Sequence, residues 1–278
     1  MSMRLARGSR RIGPPPARSL GDRMRTVIAP LVLGVVVVGG WQILSNGRLI
    51  DPVLFPSPVR IAVAFGKLVT ASYFGDNYTT TLTEIGAGFA IGVSIGFVLG
   101  AILALSPIVR TILYPYMIMF QAIPKIILAP LFVVWFGFGI ESKIVMAATI
   151  CFFPILVNTL VGLAVVDEKP LQLMRSLRAS QVQIARRLRL PNALPSIFAG
   201  LKTSLIYAMT GAIVAEFSGA LKGIGVLVDT FNSQLQVDYE IAVILTVMIL
   251  GVLGYIVVEY LDRRIVFWRE GESNVLER

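Results

Sequence analysis

The 278-residue sequence has no histidine, a single cysteine, and charged side chains at only 15% of its positions. Each shortage excludes something. Without histidine there is no Ser-His-Asp triad. One cysteine, Cys151, permits neither an intrachain disulfide nor a Cys/His zinc cluster. Cys151 stands in an apolar run, where a free thiol acts as a small packing residue. A phosphate-binding loop is missing too. Gly66-Lys67 is followed by Leu68, with Ile61 five positions before Gly66, and Gly200-Leu201-Lys202-Thr203 lacks the glycine spacing. Soluble domains carry about 25% charged residues. The deficit here, beside 56% apolar residues, points to a chain whose solvent is partly lipid.

The formal net charge is +9, but it is not spread as a nucleic-acid-binding face would need. Arginine and lysine gather at the N-terminus, in one loop near the middle and at the C-terminus, with long uncharged stretches between. That is how a membrane protein arranges its cytoplasmic flanks. No nucleic-acid partner is expected.

About 20 apolar residues make a helix long enough to cross the hydrocarbon core. Such runs predict an all-α polytopic membrane protein of about six transmembrane helices. Residues 1–26 form a basic, Pro-rich tail predicted to be disordered. The first span covers 27–44. Gly39-Gly40-Trp41 is a poor small-x-small cleavage site, so the run reads as an uncleaved span and not a signal peptide. Residues 45–80 form an outer segment. In it Asp51-Pro52, Pro56-Ser57-Pro58 and Gly75-Asp76-Asn77 mark turns, and 59–69 make a short amphipathic helix. Residues 81–262 are a five-helix core with spans at 81–105, 111–134, 142–166, 196–220 and 241–261. Residues 263–278 are a charged tail.

Within the second span Gly88, Gly92, Gly96 and Gly100 recur every four residues, a bare stripe on which a neighbouring backbone can lie. In the third span Pro115, Pro124 and Pro130 remove backbone donors and kink the helix. Broken backbone at membrane depth needs protein or a wet cavity around it, so this span is predicted to line a route. With the N-terminus inside, the cytoplasmic segments carry 18 Lys and Arg. The outer ones carry four: Arg48, Arg60, Lys67 and Lys222. That bias places both termini in the cytoplasm and requires an even number of spans.

The segment 167–192, between the fourth and fifth spans, is the most informative. Leu171, Met174, Leu177, Ile184 and Leu188 recur at helical spacing, and Ser180 with Gln183 forms a capping-box pattern. Two short helices are predicted, the second starting after Ser180, with Arg186, Arg187 and Arg189 in its last turn beside the negative end of the helix dipole. A structured basic loop of this kind is either a surface helix on anionic lipid or a docking element for a cytoplasmic partner.

This loop resembles the EAA loop of binding-protein-dependent ABC importer permeases, which runs Glu-Ala-Ala, three residues, Gly, nine residues, then Ile-x-Leu-Pro. Leu188-Arg189-Leu190-Pro191 occupies the end of that pattern, Gln172-Leu173-Met174 the Glu-Ala-Ala position and Arg178 the glycine. The spacing matches while several letters differ. Arg175-Ser176-Leu177-x-Ala179-Ser180 and Leu190-Pro191-x-Ala193-Leu194-Pro195 are similar to permeases of the nitrate/sulfonate/taurine type. So are Pro130-Leu131, Trp135-Phe136-Gly137-x-Gly139, Phe153-Pro154-Ile155-Leu156-x-Asn158-Thr159 and Ala215-Glu216. The likeness runs from about residue 51 to 264. Pro124-Lys125-x-x-Leu128-Ala129-Pro130-Leu131 and Gly211-Ala212-x-Val214-x-Glu216-Phe217 look closest to permeases for pyrimidine thiamine precursors.

The resemblance implies the permease subunit of an ATP-binding cassette importer in the bacterial inner (plasma) membrane. Its solute would be small: a nitrate-, sulfonate- or taurine-like anion, or a pyrimidine thiamine precursor. It implies a homodimer in membrane lipid, two cytoplasmic ATP-binding subunits that hold ATP and Mg, and a periplasmic or lipid-anchored solute-binding protein. This chain would then be no enzyme, with no catalytic residue, metal or cofactor of its own. The coupling residues it implies are Gln172, Met174, Arg175, Ser176, Leu177, Arg178, Ala179, Ser180, Leu188 and Pro191. The family glycine fits a left-handed residue ending the first short helix. Arg178 in that conformation costs about 1–2 kcal/mol, so either the turn differs or contacts with the partner offset the strain.

Candidates for the translocation path are Gln121, Pro124, Lys125, Pro154, Asn158 and Glu216. A charge at the bilayer centre costs about 2.5–3.5 kcal/mol on insertion scales, so Lys125 and Glu216 must face protein or water, or lie near an interface. Two readings stand for Glu216: a route group, or a packing group paired with a backbone donor. Gln121 and Asn158 either bond solute or, the commoner use, hydrogen-bond between helices. The rival from another class is a stand-alone secondary transporter or channel, for which inverted repeats and more intramembrane acids are expected.

Overall fold

The computed structural model describes residues 20–47, 51 and 53–269. Most of the two predicted tails, 1–19 and 270–278, lies outside the described residues. Among the latter, five helices are long and apolar enough to cross a membrane, and six if one bent pair counts as a single span.

α1 (Leu20–Asn46) holds the first span and begins inside the segment predicted to be disordered. It lies against α2 (Pro58–Thr70), where Gln42 Oε1 accepts from Val59 N–H at 3.2 Å. Ser57 caps α2 and Pro58 opens it, because proline's fixed φ suits a first turn. Ile61, Ala64 and Leu68 fall on one face and are buried. Ala64 and Leu68 pack toward Ala242 and Val243 of α11 (Val237–Ile265) and toward Ile224, Leu227 and Phe231 of α10 (Ile224–Ser233). The sequence reading had no helix at α10.

α3 (Ser72–Leu105) runs for 34 residues, about 51 Å at the α-helical rise. Gly75-Asp76-Asn77, predicted as a turn, lies within it. Asn77 Nδ2 donates to Tyr73 O at 2.7 Å and Thr79 and Thr80 donate to Gly75 and Asp76 carbonyls, so polar side chains here back-bond within the helix instead of breaking it. Ser106 then caps α4 (Pro107–Ala122), accepting from Val109 N–H at 3.4 Å.

The third span is more than kinked. α4 stops at Ala122, Ile123 and Pro124 are extended, and a 3₁₀ turn at Lys125–Ile127 leads into α5 (Leu128–Phe136) at 74° to α4. Pro124 supplies no donor to carry the helix across.

α6 (Ile140–Ala164) is the central helix, held between α3 and α9 (Leu190–Phe217). A Cβ on Gly88, Gly92, Gly96 or Gly100 would stand 2.9, 2.5, 2.6 and 2.7 Å from the carbonyl oxygens of Ile144, Ala148, Phe152 and Leu156. Two four-residue stripes thus meet backbone to backbone. On the other side Ser204 Oγ donates to Cys151 O at 2.8 Å and Ser196 Oγ to Asn158 O at 2.9 Å. Cys151 itself is fully buried in this packing.

Candidate functional site

At the end of the bundle where α6 finishes, the chain forms α7 (Glu168–Ser176) and α8 (Gln181–Ile184). The turn between them is a Schellman motif: Ala179 N–H donates to Met174 O at 3.0 Å and Arg178 N–H to Arg175 O at 2.9 Å. Arg178 takes φ +54°, the left-handed conformation that suits glycine. The turn therefore does not differ from the one a glycine would make, and the strain of an arginine there is real. Ser180 opens α8 with a reciprocal capping box, its Oγ accepting from Gln183 N–H at 3.3 Å while Gln183 Oε1 accepts from Ser180 N–H at 2.8 Å.

Beyond α8 the structure corrects the predicted loop. No break occurs at Pro191 or Pro195. Helix continues from Gln181 to Phe217 through a π turn at Ala185–Arg189, in which Leu190 N–H donates to Ala185 O. The wider turn admits Pro191, whose ring would otherwise press on the Arg187 carbonyl. Arg186, Arg187 and Arg189 consequently lie mid-helix and complement no helix end. Asn192 Nδ2 donates to Val165 O at 3.2 Å and pins the two bases of the loop together.

The loop presents Leu177 (70% exposed), Val182 (74%) and Leu173 (61%) outward, flanked by exposed Gln172, Arg175, Ser176, Arg178 and Ser180. Met174, Ala179, Leu188 and Pro191 are half-buried, and Ile184 anchors the element from inside. Large apolar side chains thus stand out on a pinned, capped element.

The predicted route residues separate into two places. Gln121 and Pro124 are exposed at the break in the third span. Lys125 Nζ lies 3.5 Å from Gln121 O and 4.7 Å from the centre of the Phe153 ring, next to Pro154. One turn on, Asn158 Nδ2 donates to Pro154 O at 2.8 Å, within its own helix. Beside them a groove of about 510 Å³ lies between α3, α4 and α6, with Ile95, Leu103, Met117, Phe120, Phe152 and Phe153 among its walls.

Glu216 lies elsewhere, in the last turn of α9, at the end of the bundle opposite α7. Its Oε1 accepts from Thr81 Oγ at 2.5 Å and its Oε2 from Gly225 N–H at 2.5 Å. Thr81 Oγ in turn accepts from Ile224 N–H at 2.8 Å, and Asn77 Oδ1 from Gly223 N–H at 2.7 Å. Side chains of α3 and α9 thus satisfy the donors that open α10. Gly223, at φ +138°, leaves the space that the Glu216 carboxylate fills. Glu216 is thus paired with a backbone donor, the Gly225 amide.

Two further groups at this end escaped sequence reasoning. Glu84 is buried and hydrogen-bonded to Glu216, and Lys143 is buried with Nζ 2.9 Å from both Phe138 O and Gly219 O. The available signal was an acid inside the apolar 81–105 run.

Residues 92–267 match the family described as "Binding-protein-dependent transport system inner membrane component". The chain belongs to this family. The permease is 32% identical over 249 residues to the formylaminopyrimidine transport permease protein ThiX of Halalkalibacterium halodurans, covering 89% of this chain and 98% of that one. It is 30% identical over 239 residues to the putative aliphatic sulfonates transport permease protein SsuC of Bacillus subtilis, with 86% and 87% covered. Its identity to the taurine transport system permease protein TauC of Escherichia coli is 29% over 238 residues, with 84% and 86% covered. An inward-facing structure of the MetNI methionine ABC transporter superposes with a TM-score of 0.57 at 23% identity, covering 70% of this chain and 94% of that one, and shares the fold. The permease is thus the membrane component of an ABC importer, and the stand-alone secondary transporter is set aside.

Proposed function

We propose that the permease works as a homodimer in the bacterial plasma membrane, with both termini and the α7–α8 loop in the cytoplasm. Two separate ATP-binding subunits hold ATP and Mg, and a soluble or lipid-anchored binding protein delivers the solute outside. The solute belongs to the range named for its relatives, formylaminopyrimidine, aliphatic sulfonates and taurine. The 18-to-4 bias of Lys and Arg supports the orientation.

One observation carries the coupling role. The exposed apolar face of the loop is built onto the same unbroken helix, Gln181–Phe217, that crosses the membrane. Displacement of the loop by closing ATP-binding subunits therefore moves a span directly, shifting a two-state equilibrium between inward- and outward-facing forms. Burying a leucine stabilises an interface by about 1.5–3 kcal/mol, roughly tenfold or more in affinity. Leu177→Asp is expected to lower solute uptake by about that factor in proteoliposomes while ATP hydrolysis by the partner subunits persists. Normal uptake by this variant overturns the docking role.

A further inference from the structure

We infer that Lys125 is an anion-recognition group on the solute route, and that the groove beside it takes the apolar body of an organic acid. The inference rests on the proposed route through the broken third span.

Depth comes first. Phe153 lies near the middle of the 25-residue α6, about 20 Å from its start, and the Lys125 ammonium sits 4.7 Å from that ring. The ammonium is therefore near the centre of the bilayer, where an uncompensated charge is costly. The two lysines of the long helices are compensated within the chain. Lys143 reaches two carbonyls at 2.9 Å beside the Glu84–Glu216 pair. Lys202 lies 2.5 Å from both Asp262 and Glu259. Among the described residues Lys125 has no carboxylate partner, only one carbonyl at 3.5 Å and the face of Phe153. An ammonium has three donors, and a cation–π contact replaces little of the lost hydration.

The surroundings complete the site. Extended backbone at Ile123 and Pro124 holds Lys125 at the break. The groove walled by Phe153 is apolar along α3, α4 and α6, and the Thr149 hydroxyl at its wall donates to Val145 O at 2.7 Å. A cation at the edge of an apolar groove complements a sulfonate or carboxylate on a hydrocarbon or ring body better than a neutral heterocycle.

The test compares two probes of like shape, 4-methylbenzenesulfonate and 4-methylbenzenesulfonamide, binding to the assembled transporter in nanodiscs without binding protein. The sulfonate is expected to bind at least tenfold more tightly. Lys125→Met and the near-isosteric Lys125→Gln should abolish the preference, and Lys125→Arg should keep it. Equal binding of the probes, no binding of either, or a preference that survives Lys125→Met overturns the inference. So does loss of the dimer in native mass spectrometry of Lys125→Met, which would assign the ammonium to a carboxylate of the second copy. The two readings fail separately. If Leu177→Asp uncouples while Lys125→Met keeps the sulfonate preference, only the anion site falls. If Leu177→Asp transports normally while Lys125→Met loses the preference, only the docking role falls.

Discussion

Glu216 has two oxygens, and the fold supplies a donor to each: Thr81 from α3 and the Gly225 amide from α10. Removing an acceptor from buried donors costs about 1–3 kcal/mol per group left unpaired. Glu216→Leu removes both acceptors and leaves the buried Gly225 amide unpaired. It is expected to destabilise the protein by that amount and lower its melting temperature in detergent. Glu84→Gln is expected to be tolerated, because its amide can donate to the Glu216 carboxylate. Equal losses for the two variants would count against the assignment of donor and acceptor. Arg178 is the contrasting case. Its cost was legible in the sequence, since a known turn geometry makes any side-chain-bearing residue expensive there. The buried pair was not legible, because Glu84 and Glu216 are 132 positions apart and nothing local marks them as neighbours.

The contact between α3 and α6 depends on the absence of side chains, and periodicity alone foretold it. Gly92→Ala puts a methyl group against the Ala148 carbonyl, whereas Gly86 has nothing within 4 Å of such a Cβ. Overpacking of this kind costs about 1–3 kcal/mol. An alanine in an unobstructed helical position gains roughly 0.5–1 kcal/mol. Thermal unfolding should therefore move down for Gly92→Ala and stay level or rise for Gly86→Ala. A fall of equal size in both would show that the stripe does not make the interface. Prolines were less readable. Pro124 accompanies a break of 74°, while Pro191 and Pro195 sit in continuous helix. Pro191 follows a π turn that relieves its ring, Pro195 sits inside α9, and Pro124 is extended between two helices.

Across the whole chain, the α7–α8 loop and the α9–α10 turn lie at opposite ends of the bundle, so a side assignment for one settles the other. With Cys151, the one native cysteine, buried, an introduced surface cysteine is the accessible thiol. In spheroplasts a membrane-impermeant maleimide is expected to label Lys222→Cys and to spare Arg186→Cys until the membrane is opened. The reverse pattern would invert the proposed orientation and remove the loop from the side where ATP is available. The loop's position also explains its rigidity. A Schellman turn, a capping box and the Asn192–Val165 tie leave it few ways to bend without moving α9.

Composition, apolar run length and charge placement were enough to specify a helical membrane protein of about six spans with a structured basic loop. Those properties follow from the solvent each segment must meet, which local sequence encodes. The prolines announced a broken third span, but only the tertiary structure decided how sharply it turns, that the fifth extends back through the loop, and that three ionisable groups close one end of the bundle. The last depends on groups far apart in the chain meeting in low dielectric, and a linear pattern carries no record of such a meeting.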